Sequence, residues 1–225
     1  MPERFPKQLI SGYRTFAAHR LPTEQSRYNE LADSGQSPEV MVIGCCDSRV
    51  SPEVIFDAGP GELFVVRNVA NLVPPYAPDG EAHGVSSALE FAVQVLRIKH
   101  IVVLGHAQCG GIRAFAEETA PLSPGDFIGR WMEMIAPAAK TLGPRGDQLL
   151  PDYLGRLEKA SLLTTLDNLM SFPCVRILAE RGKLQLHAAY FGVATGTLAV
   201  YDRDNGSFRS VASAEHREAL GVPRF

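Results

Sequence analysis

A one-sided helical pattern that leads directly into an apolar run is the feature that most restricts the fold of this chain. Within residues 84–97 apolar side chains recur every third or fourth position, at Val85, Ala88, Leu89, Ala92, Val93 and Leu96. This spacing predicts an amphipathic helix of about four turns. The run Ile101-Val102-Val103-Leu104 follows at once and indicates a buried strand. With the earlier apolar strands, this predicts a parallel sheet covered on both faces, with a right-handed crossover.

The remaining pattern extends this α/β architecture along the chain. Further strands are predicted at 39–44, 63–66, 184–193, 198–201 and 207–211, with Asp204-Asn205-Gly206 as the hairpin turn between the last two. Helices are predicted at 4–20, at 23–32 with Thr23 as N-cap, after Pro52, at 112–118 and, with interruptions, over 127–170. No repeat or linker is visible, so residues 1–225 are predicted to form one α/β domain with a mostly parallel central sheet and flanking helices.

Composition excludes several classes of protein. The 225 residues are 45% hydrophobic and 21% charged with a net charge of −3, which gives no reason to expect binding to nucleic acid or to an anionic membrane. No apolar run approaches the ~20 residues of a membrane helix, and the N-terminus is a poor secretory signal. The four cysteines do not resemble a disulfide framework, so we expect a cytoplasmic protein.

Two predicted strands end in the same way, with glycine followed by a residue that can bind metal. The endings are Val42-Ile43-Gly44-Cys45 and Val103-Leu104-Gly105-His106, and Cys109 follows three residues after the second. If the two strands are parallel neighbours, the three side chains converge where the strand order reverses, outside the carboxyl ends of the strands. Three N/S ligands with a fourth position left open are typical of catalytic zinc, and we favour that interpretation over a coincidental core cluster.

The loop after Cys45 carries two charged residues, Asp47 and Arg49. They could form an ordinary surface ion pair of little energetic weight. Alternatively, Arg49 holds Asp47 ionised so that its carboxylate can accept a hydrogen bond from zinc-bound hydroxide. Asp47 could also occupy the fourth position itself and switch the site off.

Three segments resemble the β-class carbonic anhydrases, and the resemblance spans nearly the full chain. Cys45-Cys46-Asp47-Ser48-Arg49 matches the family's Cys-x-Asp-Ser-Arg, and His106-Ala107-Gln108-Cys109-Gly110-Gly111 matches its His-x-x-Cys-Gly-Gly. Residues 64–76, FVVRNVANLVPPY, are similar to the plant-type members almost letter for letter. The family spacing selects Cys45, and not the adjacent Cys46, as the zinc ligand.

The resemblance implies reversible hydration of CO₂ to bicarbonate and a proton by zinc-bound hydroxide, with one Zn²⁺ per subunit. Zinc lowers the pKa of its water from ~15.7 toward ~7–9. Two thiolates neutralise the +2 charge of the metal, so we expect a less acidic water than three imidazoles would give. Activity should therefore rise above about pH 7, toward about pH 8–9.

The resemblance also assigns the substrate site. It implies an apolar CO₂ slot formed by Phe64, Val69 and Phe91 and a hydrogen-bond donor for the product anion at Gln36. Gly110 is a further substrate-binding residue by the same resemblance. Without it, the three apolar residues would be interpreted as core, and Gln36 as a solvated turn residue. Phe91 stands where many relatives carry Tyr. His83 is a candidate proton shuttle, although an exposed loop histidine is the simpler interpretation.

One departure from the family pattern predicts the regulation. Relatives that bicarbonate inhibits carry Trp three residues before the first zinc cysteine and Tyr on a late strand, where this chain has Val42 and Phe191. Arg67, the third element, is present but serves the subunit interface in other members. We therefore predict that bicarbonate does not shut the site off and that no cooperative loss of activity occurs as the pH falls.

The predicted first helix is amphipathic and precedes the first strand by nearly twenty residues, so it can reach a neighbouring subunit. Family members pack this helix on the partner, with the CO₂ slot at the dimer interface. We therefore expect residues 1–35 to form a projecting helical arm and a homodimer to be the minimal active unit, with higher oligomers open.

Three alternative functions share some of these features. A carbonyl sulfide or carbon disulfide hydrolase would use the same zinc ligands and differ in access to the slot. A zinc-dependent binding or sensor protein would have no need of Asp47 and Arg49. A flavodoxin-like nucleotide-binding module would need a glycine-rich phosphate loop after the first strand, where Cys45 and its neighbours stand instead.

Overall fold

A six-stranded sheet forms the centre of the computed structural model, which describes residues 5–117 and 127–211. The strands are β1 (Val40–Cys45), β2 (Leu63–Asn68), β3 (His100–His106), β4 (Gln185–Phe191), β5 (Leu198–Asp202) and β6 (Ser207–Ser210). Their order is β2-β1-β3-β4-β5-β6, with the first four parallel and the last two antiparallel. The predicted α/β class and mostly parallel sheet are confirmed.

Helices flank this sheet and account for most of the remaining described residues. They are α1 (Lys7–Thr15), α2 (Leu21–Ser34), α3 (Pro52–Ile55), α4 (Gly84–Glu90), α5 (Gly110–Ala116), α6 (Ile128–Glu133), α7 (Ala136–Leu142), α8 (Leu150–Ser171) and α9 (Pro173–Glu180). The predicted helix at 84–97 is confirmed, although its second half, Phe91–Leu96, is a π-helix. None of the described helices is long and apolar enough to cross a bilayer.

The predicted break between two N-terminal helices is wrong. A π-helical segment, Phe16–Arg20, joins α1 to α2 without interruption. Thr23 is therefore not an N-cap: it lies inside α2, and its hydroxyl donates to the carbonyl of Arg20 at 2.7 Å. Pro22 explains the irregularity, because proline has no N–H to donate and its ring displaces the preceding turn. The predicted helix ends at residues 4 and 118 lie outside the described residues.

Alternating side chains of the sheet divide the core into two layers. Met41 and Ile43 of β1 face the larger layer, with Ile101 and Val103 of β3, and α4, α8 and α9 cover it. Val42 faces the opposite layer with Leu104 and Ala189, where partly buried residues such as Val40, Val65 and Val102 surround them. The expected cover on both faces is therefore uneven: the second face is shielded less deeply within a single chain.

The sheet order places the reversal point between β1 and β3. The chain runs from β1 outward to β2, then returns across β1 to β3 and β4. Gly44 of β1 pairs with Leu104 of β3, so the residues that follow both strands emerge side by side. Neighbouring strands lie about 4.8 Å apart, which brings Cys45 and His106 within reach of one another.

Candidate metal centre

Cys45, His106 and Cys109 form a buried cluster at the carboxyl ends of β1 and β3. Cys45 and His106 are the last residues of their strands, and Cys109 is the N-cap of α5. Their ligand atoms all lie within 4.8 Å of one another, and the three residues are 5%, 1% and 2% exposed. The predicted convergence of these three side chains is confirmed.

The hydrogen bonding of His106 fits a metal ligand. Its Nδ1 lies 3.0 Å from the carbonyl oxygen of Ala107, so Nδ1 carries the proton and Nε2 presents its lone pair. Nε2 is buried and has no hydrogen-bond partner among the described residues. A buried nitrogen without a partner is costly. A metal ion between this nitrogen and the two sulfurs would remove that cost, and the donor set suits zinc.

Backbone N–H groups surround both sulfurs. The N–H of Asp47 lies 3.4 Å from Cys45 Sγ, and the N–H of Ala70 also faces this sulfur. Gly111 and Ile112, in the first turn of α5, direct their N–H groups at Cys109. Such donors stabilise thiolates, which are the form that binds metal. A hydrogen bond between the side chains of Cys45 and Cys109 lowers the pKa of Cys45 and raises that of Cys109, because the two thiols share a proton.

Strained backbone shapes the walls of this cluster. Ala70 and Gln108 have φ angles of 64° and 58°, a left-handed region that non-glycine residues seldom adopt and that concentrates at functional sites. At Gly111 an added Cβ would lie 3.1 Å from both Ala70 Cβ and Val69 Cγ1. Any side chain at this position would press on residues 69–71, which α5 approaches closely here. The side chain of Asn68 fixes the same turn by bonding both the N–H and the carbonyl of Leu72 at 2.8 Å.

Asp47 and Arg49 form a two-point ion pair beside the open side of the cluster. Arg49 Nε donates to Asp47 Oδ1 at 2.9 Å, and Nη2 donates to Oδ2 at 2.7 Å. The guanidinium holds the pKa of the Asp47 carboxyl well below its usual range. Asp47 Oδ2 is also 3.9 Å from His106 Nε2. The carboxylate is thus ionised, held in one orientation and close to His106.

Arg67 fixes the same loop from its other side. Its Nε donates to the carbonyl of Cys45 at 2.8 Å, and its Nη2 donates to the carbonyl of Asp47 at 2.7 Å. Both groups are backbone carbonyls, so Arg67 sets the path of the chain between the first ligand and the dyad.

The predicted substrate residues divide into two groups. Val69 and Gly110 lie beside the cluster, where Val69 contacts the start of α5. Phe64 and Phe91 lie together, with ring centroids 6.0 Å apart. Phe64 pairs with Met41, four residues before Cys45, which places it about 13 Å along the strand from the ligands. The chain therefore does not bring this pair to its own cluster of Cys45, His106 and Cys109.

Gln36 and His83 also lack a described contact with the cluster. Gln36 is exposed in the segment that follows α2. His83 is exposed as well, and its Nε2 pairs with Asp79 Oδ1 at 2.7 Å. Phe91 is 43% exposed, so Gln36 and Phe91 both present accessible surface within a single chain.

Glu158 is a site residue that the sequence reasoning missed. Its Oε1 accepts the N–H of Cys109 at 3.0 Å, and its Oε2 accepts the hydroxyl of Tyr190 at 2.6 Å. Burial raises the pKa of this carboxyl. A signal was available, because Glu158 interrupts the apolar stripe of α8 between Leu154 and Leu162, and buried acids are rare.

Comparison with known proteins gives one consistent result. A family profile described as carbonic anhydrase matches residues 40–198. The chain is 36% identical to Beta carbonic anhydrase 3 of Arabidopsis thaliana over 203 residues, covering 88% of this chain and 77% of that protein. It is 35% identical to a carbonic anhydrase of Pseudomonas aeruginosa over 217 residues, covering 96% of each.

Solved structures agree with the sequence relatives. The β-carbonic anhydrase CcaA superposes with a TM-score of 0.84 at 27% identity, covering 92% of both chains. A β-carbonic anhydrase from Sordaria macrospora, described as tetrameric, gives a TM-score of 0.70 at 28% identity, covering 92% of this chain and 96% of that one.

Proposed function

The chain belongs to the β-class carbonic anhydrases and is a carbonic anhydrase enzyme, and we propose that it hydrates CO₂ with zinc held by Cys45, His106 and Cys109. The observation that carries the metal assignment is the buried ligand set in which His106 Nε2 has no partner among the described residues. When bound, zinc supplies the Lewis acidity that makes water a nucleophile near neutral pH.

Asp47 and Arg49 orient the reacting water. The ionised carboxylate of Asp47 can only accept hydrogen bonds, so a water next to it donates a hydrogen bond to Asp47 through one O–H and turns a lone pair away from the carboxylate. Arg49 keeps both carboxylate oxygens in place and thereby prevents Asp47 from rotating onto the ligand cluster. This positioning directs the lone pair toward CO₂ and contributes to the rate.

A second copy of the chain completes the CO₂ slot in this proposal. Phe64 and Phe91 lie away from the chain's own ligands, and Phe91 is exposed. The N-terminal arm also exposes apolar side chains, since α1 buries none of its residues. We therefore place Gln36, Phe64 and Phe91 at an interface with a partner subunit and expect a homodimer, or a larger homo-oligomer built from dimers.

The proposal treats residues 1–225 as one domain and the cytoplasm as its compartment. All four cysteines are free thiols, which supports a reducing environment, and two of them are the proposed ligands. CO₂ and bicarbonate are the proposed substrate and product, and nucleic acid and membranes have no part in the reaction.

Stopped-flow measurement of CO₂ hydration, with zinc content determined in the same sample, tests this function. Zinc-loaded protein should turn over rapidly at pH 8.5 and more slowly at pH 7.0, while chelated protein should be inactive and recover with added zinc. Carbonyl sulfide and carbon disulfide are assayed in parallel. A zinc-loaded protein that hydrolyses them but does not hydrate CO₂ would overturn the proposal in favour of a sulfur-substrate hydrolase.

A further inference from the structure

The peptide group between Gln108 and Cys109 is held from both ends. Its carbonyl, on Gln108, accepts a hydrogen bond from Arg49 Nη2 at 3.1 Å. Its N–H, on Cys109, donates to Glu158 Oε1 at 3.0 Å. Arg49 approaches from the side of the active-site loop and Glu158 from the core, so the two bonds fix the plane of this peptide.

This peptide determines where the sulfur of Cys109 points. Gln108 has a φ of 58°, a costly conformation for a residue with a side chain. Cys109 then returns to an extended backbone with φ −65° and ψ 119° before α5 begins. A rotation of the 108–109 peptide would change ψ of Gln108 and φ of Cys109 and would redirect the Cys109 side chain, so the hydrogen bonds at its two ends hold the sulfur in place.

Glu158 is itself fixed by a contact on another element. Its Oε2 accepts the hydroxyl of Tyr190 at 2.6 Å, and Tyr190 lies on β4 opposite Gly105, one residue before the ligand His106. The ammonium of Lys159 lies 5.0 Å from the centre of the Tyr190 ring, which favours this ring position. α8, β4 and the start of α5 are thereby joined through one carboxyl group.

The burial of Glu158 requires a compensating role. The residue is 5% exposed, and no ion pair with a cation is found for it among the described residues. Burying a carboxyl group costs free energy unless hydrogen bonds replace its hydration. An apolar residue at this position of α8 would pack well with Leu154 and Leu162, but it would leave the Cys109 N–H without an acceptor.

We propose that Glu158, held by Tyr190, is a positioning residue that orients the 108–109 peptide and so keeps Cys109 directed at the metal. The inference rests on the metal site of the proposed function. Removing a residue that hydrogen-bonds to a metal ligand without contacting the metal commonly lowers metal affinity by about 10–100-fold. Glu158 does not touch substrate or the reacting atoms, and it acts through Cys109.

Cobalt binding provides a test that does not depend on turnover. Full-length protein and the variants Glu158→Ala, Glu158→Gln and Tyr190→Phe are loaded with Co²⁺. The thiolate-to-cobalt charge-transfer band and the rate of cobalt transfer to a chelator are then recorded. Tyr201→Phe is the matched control, because Tyr201 is a partly buried tyrosine of β5 that packs against Phe208. If the unmodified protein binds cobalt normally but does not hydrate CO₂, the proposed function is refuted and the inference about Glu158 is not.

We expect Glu158→Ala to lose cobalt about 10–100-fold faster and to show an altered charge-transfer band. Glu158→Gln should restore retention to within about threefold, because its amide oxygen can accept the same hydrogen bond. Tyr190→Phe should release cobalt faster than Tyr201→Phe. If Glu158→Ala retains cobalt like the unmodified chain, or Glu158→Gln fails to rescue, the inference is wrong. If Glu158→Ala does not fold, equal retention by Tyr190→Phe and Tyr201→Phe overturns it.

Discussion

Arg49 bonds both carboxylate oxygens of Asp47, at 2.9 Å and 2.7 Å, while one of those oxygens lies 3.9 Å from His106 Nε2. The planar guanidinium matches a carboxylate at two points, so Asp47 has one orientation and not a range. The same guanidinium bonds the carbonyl of Gln108. Arg49 therefore connects the carboxylate of Asp47 to the loop that carries Cys109.

Replacing Arg49 with alanine should lower kcat for CO₂ hydration by about 100-fold. Asp47 would be free to rotate onto the ligand cluster and would no longer orient water. Stopped-flow kinetics at pH 8.5 measure the change. Arg113→Ala is the control, because Arg113 forms an exposed ion pair with Glu117 on α5 and its loss should change kcat by less than about twofold. Full activity of Arg49→Ala would remove the dyad from the mechanism.

Gly111→Ala should weaken metal binding and lower kcat/KM by about tenfold, because the added Cβ would lie 3.1 Å from Ala70 and Val69. Zinc competition with a chelator measures the affinity. Gly129→Ala on α6, where an added Cβ meets nothing within 4 Å, should leave both quantities unchanged. Both glycines lie in helices, where alanine is favoured over glycine, so a loss of affinity in Gly111→Ala alone would trace the effect to the close approach. Unchanged metal affinity would contradict this account of Gly111.

Bicarbonate should inhibit the enzyme along a simple hyperbolic curve at both pH 7.0 and pH 8.5. By the resemblance described above, we expect Val42 and Phe191 to replace the Trp and Tyr of bicarbonate-inhibited members. Arg67 is already bonded to the carbonyls of Cys45 and Asp47. Rates are measured over a bicarbonate series at constant ionic strength, with chloride as the control anion. A sigmoidal inhibition curve would show that the protein has a regulatory bicarbonate site after all.

Leu9→Glu combined with Tyr13→Glu should yield monomers with at least about tenfold lower kcat. Both side chains are more than half exposed on α1, at 57% and 66%, and charges there would oppose burial against a partner. Light scattering gives the molecular mass, and stopped flow gives the rate. Gln8→Glu with Ser11→Glu adds the same charge to another face of α1 and should preserve both. Monomers with full activity would show that each chain has a complete CO₂ slot.

The free energy of unfolding should fall as the pH drops through about 6.5, partly because of His187. Burial lowers the pKa of this histidine, with further contributions from His100 and Arg203. The unfolded chain therefore binds a proton that the folded chain does not, which favours unfolding at lower pH. His187→Gln should reduce the loss of Tm between pH 7.5 and 5.5, measured by thermal denaturation. His19→Gln, at an exposed position, is the control. Equal losses of Tm in the unmodified protein, His187→Gln and His19→Gln would refute the role of His187.

The cluster of Cys45, His106 and Cys109 could be predicted from the sequence because its signal is local. Cys45 and His106 each end an apolar strand after glycine, and the rule for parallel sheets supplies their proximity. The contact of Glu158 with Cys109 could not be found in this way. Glu158 reaches Cys109 only through the packing of α8 on the sheet, and a single acid on a long helix is otherwise interpreted as solvated.

The irregular backbone was also beyond the sequence patterns. Apolar periodicity predicts that residues 84–97 are helical, but it does not distinguish an α-helix from the π-helix at Phe91–Leu96. The left-handed conformations of Ala70 and Gln108 are imposed by tertiary contacts and oppose the local preference of those residues. Likewise, the distance of Phe64 from Cys45 and His106 depends on strand register. A hydrophobic pattern indicates which face of the sheet a side chain lies on, but not which residue of the neighbouring strand it pairs with.

Cys45 and His106 lie on two strands that are neighbours in space but distant along the chain. This arrangement has a consequence for biogenesis. During synthesis Cys45 leaves the ribosome well before His106 and Cys109, so the nascent β1 has no complete site to offer. The crossover through β2 and α4 must be in place, and β3 must align with β1, before the three donors meet. Metal capture should therefore be a late event that stabilises an already paired sheet, and zinc added to the newly made chain should act as a reporter of completed folding.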